Sequence, residues 1–174
     1  MSEFVERYGG VYEHSPWVAE RVEALFENQV GNQVTDTRFE NQVTDTRFLA
    51  KLMADCVDNA SHERRLALIR AHPDLAGRAQ VAGELTAEST AEQSSAGLDQ
   101  CSAEEYERFQ QLNDTYKEKF GFPFVMAVRN SNREEILDAF AARLENDYDM
   151  EFETAIQQIH EIAEMRLQAM EQAE

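Results

Sequence analysis

Apolar residues recur along this chain at helical spacing. Trp17, Val18, Val22, Leu25 and Phe26 share one helix face. Ser15-Pro16 opens that helix, with Ser at the N-cap and Pro in the first turn. Leu49, Leu52, Met53, Cys56 and Val57 predict a second helix over about 48–59. A third starts at Ser61, carries Leu66, Leu68 and Ile69, and closes at His72, because Pro73 pushes the residue before it out of the α region. Ser102 with Glu105, and Ser131 with Glu134, have the capping-box spacing. They open helices through Phe109, Leu112 and Tyr116, and through Ile136, Leu137, Phe140 and Leu144. From about 150 to 174 there is neither Gly nor Pro, and the pattern is a long amphipathic helix. Only "FGFPFVMAV" (120–128) reads as extended, and one isolated strand makes no sheet. The expected fold is all-α: one domain over 1–174, a bundle of about seven to nine helices, with an extended aromatic loop lining a pocket.

One stretch breaks the pattern. "NQVTDTRF" stands at 32–39 and again at 41–48, and "ENQV" at 27–30 echoes its start. The repeat unit is nine residues, two and a half helical turns, so a copy inside a helix would turn its apolar side to the opposite face. A surface loop absorbs such an insertion more easily. We read 27–48 as a duplicated loop insertion. Two copies of so short a unit do not make a solenoid.

Composition then narrows the function. Of the 174 residues, 34 are acidic and 16 basic, a formal charge of -18. Such a surface repels phosphate backbones and anionic membranes, which argues against nucleic acid and membrane as partners. Only Lys51, Lys117 and Lys119 are lysines; the other bases are arginines. An acid-rich, lysine-poor surface suits concentrated salt, where screening removes the self-repulsion, and predicts a halophilic setting. Seven Gly and three Pro leave few obligatory turns, in keeping with helices. Cys56 and Cys101 are too few for a disulfide framework and predict reduced thiols. "MSEFVERYGG" has neither the basic nor the apolar region of a signal peptide, and no apolar run approaches the ~20 residues of a membrane span. A soluble, cytoplasmic protein is expected. His14, His62, His72 and His160 are scattered, no metal-ligand pair shares a helix face, and no phosphate-binding glycine motif is present; no metal is expected.

Four places could carry chemistry. His72 lies at a helix C-terminus, where the negative end of the macrodipole favours imidazolium; it is either a cap or a general acid. Glu92 follows Ser89 by three, so it either caps a helix from its first turn or orients a polar ligand, with the Gln93 amide beside it. Phe152, Ile159 and Arg166 are spaced by sevens, which puts Arg166 on the inward side of the last helix. A buried guanidinium must be paired: with an internal carboxylate, or with an anionic ligand for its bidentate fork. In "KFGFPFVMAVRN", Phe122, Phe124 and Val125 are too apolar for an ordinary loop. Pro123 stiffens a backbone that either packs in the core or offers its polar groups to a ligand.

With these residues in view, the chain resembles the 2-oxo-4-hydroxy-4-carboxy-5-ureidoimidazoline (OHCU) decarboxylase family. The likeness is carried by "FVERYGGVYEHSPWVAE" (4–20), "AHPDLAGR" (71–78), "ESTAEQSSAGLD" (88–99), "LNDTYKEKFGFPFVMAVRN" (112–130) and "AIQQIHEIAEMRL" (155–167). The resemblance implies an all-α homodimer with no metal and no organic cofactor. It implies cofactor-independent decarboxylation of OHCU to (S)-allantoin in urate degradation. It implies a catalytic histidine at His72, a pocket glutamate at Glu92 and a helix-borne arginine at Arg166. Pro73, Gln93 and the segment Phe122, Pro123, Phe124 and Val125 would bind substrate. The doubled "NQVTDTRF" departs from the family pattern away from these motifs. The competing readings are a non-catalytic acidic helical interaction module, or an acid–base enzyme acting on another ureide.

Overall fold

The computed structural model describes residues 2–30, 45–77 and 83–173. Among them the backbone forms eight α-helices, one short 3-10 turn and no strand, as the all-α expectation requires. The helices are α1 (Glu3–Tyr8), α2 (Trp17–Val30), α3 (Thr46–Asp58), α4 (His62–Arg70), α5 (Ala87–Ser95), α6 (Ala103–Phe120), α7 (Arg133–Leu144) and α8 (Tyr148–Gln172). The 3-10 turn, Leu98–Gln100, follows α5.

Contacts divide the chain into two compact units, Met1–Ala71 with His160–Glu174, and His72–Ile159. The boundary runs through α8, so each unit takes one half of that helix. In the first unit α1 packs on α2 and α2 on α3. Its core is built from Val18, Val22, Leu49, Met53, Val57, Leu68 and Ile69, with Ile162, Ala163 and Leu167 of α8 also buried. Leu25, expected on the inward face of α2, is instead 40% exposed. In the second unit α5 packs on the 3-10 turn and α6 on α7. Its core is largely aromatic. Phe124 stacks on Phe140 at 3.8 Å between centroids, and Tyr116 meets Phe120, Phe122, Phe124 and Phe140.

The helix starts show how local chemistry sets the boundaries. Ser61 caps α4, its hydroxyl accepting from Arg64 N–H, and α4 closes at Arg70 with Ala71 as C-cap, two residues short of Pro73. Ser102 and Glu105 form the predicted capping box of α6. At α7 the box is one residue later than expected: Asn132 and Glu135 satisfy each other's backbone, not Ser131 and Glu134. Ser131 is already spent in a turn, its N–H donating to Val128 O at 2.9 Å. For α5 the cap is Thr86, whose hydroxyl accepts from Ser89 N–H at 3.2 Å. Ser89 is therefore inside the helix, and Glu92 lies in its second turn and is not a cap partner. The short α1, capped by Ser2, has no counterpart among the predicted helices.

The duplicated loop lies mostly outside the described residues, which omit 31–44. At its edges Glu27–Val30 complete α2, and the end of the second copy opens α3: Asp45 caps it, accepting from Arg47 and Phe48 N–H. Cys56 and Cys101 are both free, and burial raises the pKa of each thiol. No described helix is long and apolar enough to cross a membrane, and the described residues hold no cluster of metal-ligating side chains.

Candidate active site

The His72-Pro73-Asp74-Leu75-Ala76-Gly77 loop leaves α4 and is held through its own backbone. Gln93, on α5, accepts from Ala76 N–H through Oε1 at 3.0 Å and donates through Nε2 to Asp74 O at 3.3 Å. From α6, Asn113 donates to Leu75 O at 2.9 Å and Gln110 to Ala76 O at 2.8 Å. Lys117 closes the set by pairing with the Asp74 carboxylate at 2.6 Å. Ala76 has a left-handed φ of 47°, a conformation that needs such over-determination in a residue with a Cβ. A Cβ on Gly77 would lie 2.7 Å from that of Asp74, so the turn requires glycine there. His72, at the mouth of this pinned loop, is only 7% exposed.

Glu92 and Gln93 are neighbours on α5 but differ in setting. Gln93 is buried and committed to the loop, whereas Glu92 is half-buried. The small residues that follow do structural work. Gly97 takes a left-handed φ of 73° to start the 3-10 turn, and its carbonyl accepts from Arg133 at 3.0 Å.

The aromatic segment leaves α6 through Gly121, whose φ of 74° ends the helix. Phe122, Pro123, Phe124 and Val125 are all buried, so the rings belong to the core. Two side chains fix the backbone beyond them. Arg143 donates to Val125 O at 2.6 Å, and Gln158 accepts from Ala127 N–H at 2.9 Å. Arg143 also lies over the Phe124 ring at 4.3 Å and pairs with the fully buried Glu151. Glu151 accepts in addition from the Tyr116 hydroxyl and from Asn146, so its charge and lone pairs are met from three sides. Burial, then the bond to Glu151, pushes the Tyr116 phenol far above its ordinary range.

Arg166, in the other unit, is buried as the seven-residue spacing predicts, at 5% exposure. Its Nη1 lies 2.8 Å from Oε2 of Glu13, itself 2% exposed, in an ion pair rather than a well-aligned hydrogen bond. The same nitrogen faces the carbonyls of Gly10 and Val11, each at 3.4 Å. Of the two readings left open for this arginine, the internal carboxylate is therefore present.

Sequence reasoning missed Glu13, Gln110, Asn113, Lys117, Arg143, Glu151 and Gln158. Asn113 alone had a visible signal: it sits on the apolar stripe Phe109, Tyr116, Phe120, where a polar side chain must serve a buried partner. Arg70, in the last turn of α4, is exposed, and Arg78 lies outside the described residues. One cavity of about 550 Å³ opens in the second unit, lined by Ala76, Leu98, Cys101 and Tyr106 among others. His72, Glu92 and the aromatic segment do not line it.

The sequence profile of OHCU decarboxylases matches residues 1–168. The chain belongs to the OHCU decarboxylase family. A 2-oxo-4-hydroxy-4-carboxy-5-ureidoimidazoline decarboxylase of Haloferax volcanii is 44% identical over 164 residues, covering 94% of this chain and 86% of that protein. One from Halalkalicoccus jeotgali is 41% identical, covering 96% and 84%. Among solved structures, (S)-allantoin synthase superposes with a TM-score of 0.66 at 30% identity, over 95% of this chain and 49% of that one. An OHCU decarboxylase crystallised in the presence of (S)-allantoin gives 0.59 at 25% identity, over 75% and 88%.

Proposed function

We propose that this protein decarboxylates OHCU to (S)-allantoin without a metal or organic cofactor, as a cytoplasmic homodimer. The observation that carries the reading is the family match across 1–168, with relatives of that printed name at 44% and 41% identity.

The reaction suits such a protein. The bond from the ring carbon to the carboxylate breaks, CO2 leaves, and the electron pair is delocalised through the adjacent ring imine. The imine nitrogen takes up a proton, the hydroxyl gives up its own to become a carbonyl, and a second proton is delivered to the ring carbon that bears the ureido group. The electron sink is in the substrate, so the protein must supply orientation and a proton to one face. His72 is the acid–base group; the pinned loop that follows it limits where its ring can go. Glu92 hydrogen-bonds the hydroxyl or ureido N–H groups and fixes the ring. Arg166 donates to a substrate oxygen. The backbone of Phe122, Pro123, Phe124 and Val125 reads the amide edges, with Pro73 and Gln93 beside them. Delivery to one face gives one enantiomer.

The test generates OHCU from urate in place and follows its circular dichroism. The protein should accelerate the decay and yield optically active allantoin. His72→Ala and Glu92→Ala should each slow turnover by about 100-fold or more with the helical signal unchanged. A rate equal to the spontaneous one would leave the acidic interaction module as the reading.

A further inference from the structure

Glu13 is held as firmly as the arginine it faces. Tyr12, next to it, donates to His160 Nδ1 at 2.9 Å, and His160 Nε2 lies 3.1 Å from the Asp58 carboxylate. With Nε2–H donating to Asp58, Nδ1 is free to accept the phenol proton, so the chain of bonds is consistent. His160 and Arg166 both stand on α8. The segment Gly10–Glu13 is thus tied to that helix twice, through Tyr12 and through the ion pair. Ser15 N–H, bonded to Tyr12 O at 3.0 Å, closes the turn behind it. Glu13 therefore cannot swing away when a ligand approaches Arg166. The neighbouring His14 Nε2, at 3.9 Å, sits on an exposed ring in contact with water.

We infer that Glu13 is a positioning residue that acts through Arg166, making the guanidinium a charge-compensated donor for a neutral carbonyl oxygen of the substrate instead of a carboxylate. This rests on the reading that Arg166 touches the substrate. A carboxylate brought to Arg166 would meet the Glu13 charge within a few ångströms, in a setting too buried for water to screen it. A carbonyl oxygen accepts the same hydrogen bond without that repulsion. The assignment also fits the reaction. The carboxylate loses its charge as CO2 departs, so an uncompensated buried cation upon it would stabilise the ground state more than the transition state. Neutralised by Glu13, Arg166 can orient the ring without holding back the leaving group.

The test compares two ligands by calorimetry on the full chain: neutral (S)-allantoin, and allantoate, in which the ring carbonyl has been opened to a carboxylate. The wild type should bind allantoin more tightly. Glu13→Gln keeps the shape but removes the charge, and should shift the affinity ratio toward allantoate by about tenfold or more. Glu13→Asp keeps the charge and should retain the wild-type preference. A merely structural glutamate would weaken both ligands together and leave the ratio unchanged; that result in folded Glu13→Gln overturns the inference. So does a wild type that prefers allantoate, which decides the matter even if Glu13→Gln does not fold. A wild type that neither turns over OHCU nor binds allantoin overturns the functional reading as well, and turnover by the wild type separates the two failures.

Discussion

Gln93 uses both ends of its amide on one loop. Oε1 takes the Ala76 N–H and Nε2 gives to Asp74 O, in a place with almost no water. The residue therefore has a measurable structural duty apart from any contact with substrate. Gln93→Glu keeps the acceptor but turns the donor into an oxygen facing the Asp74 carbonyl. Leaving that carbonyl unpaired and adding a buried charge should cost about 1–3 kcal/mol, read as a lower denaturant midpoint with unchanged slope. Turnover should fall as well, because the loop begins at His72. Unchanged stability would mean that the amide is not the pin. Arg143 shows the same economy at a second loop: one guanidinium serves Glu151, the Val125 carbonyl and the Phe124 ring.

At the scale of elements, the cap of α7 makes a sharp claim about register. Asn132 carries the capping bond to Glu135 N–H at 3.0 Å, so Asn132→Ala should lose about 1 kcal/mol of stability. Ser131→Ala, one residue earlier, should stay within about 0.5 kcal/mol of the wild type. Equal losses in thermal melts would refute the assignment. The same element shows what was legible in the sequence. Helix existence was, because periodicity is a property of ten or more residues and survives small errors. The cap was not, because Ser131-Asn132 followed by Glu134-Glu135 offers two boxes, and only the turn from Val128 chooses between them. α1 is too short for a period to appear. Among candidate site residues, the placement of His72 just past a helix end and of Arg166 on an inward face was legible, since a proline and a seven-residue spacing each constrain one side chain locally. Glu13 was not, since its partner lies 153 positions away and only the folded chain brings the two together. Gln110 was hidden for a related reason: it serves a backbone carbonyl, and no residue type advertises that need.

At the scale of the whole molecule the charge of -18 acts on folding and on binding in the same direction. Self-repulsion destabilises the compact state and is screened as the Debye length shrinks from about 10 Å at 0.1 M salt to about 3 Å at 1 M. The melting temperature should therefore climb by several degrees over that range, a gain on the order of 1–2 kcal/mol. Relatives from Haloferax volcanii and Halalkalicoccus jeotgali are in keeping with that setting. The same field repels an anionic substrate at long range, and the Glu13 carboxylate beside Arg166 removes one local cation that would have offset it. KM for OHCU should consequently fall as salt rises while kcat changes little. An enzyme that steers its substrate electrostatically does the reverse, because salt weakens its capture. Measuring KM and melting temperature in one potassium chloride series tests both effects at once. A flat melting curve would remove the salt-adapted reading of the surface. A KM that rises with salt would show that local positive charge outweighs the acidic exterior, and would place a further uncompensated cation near the substrate.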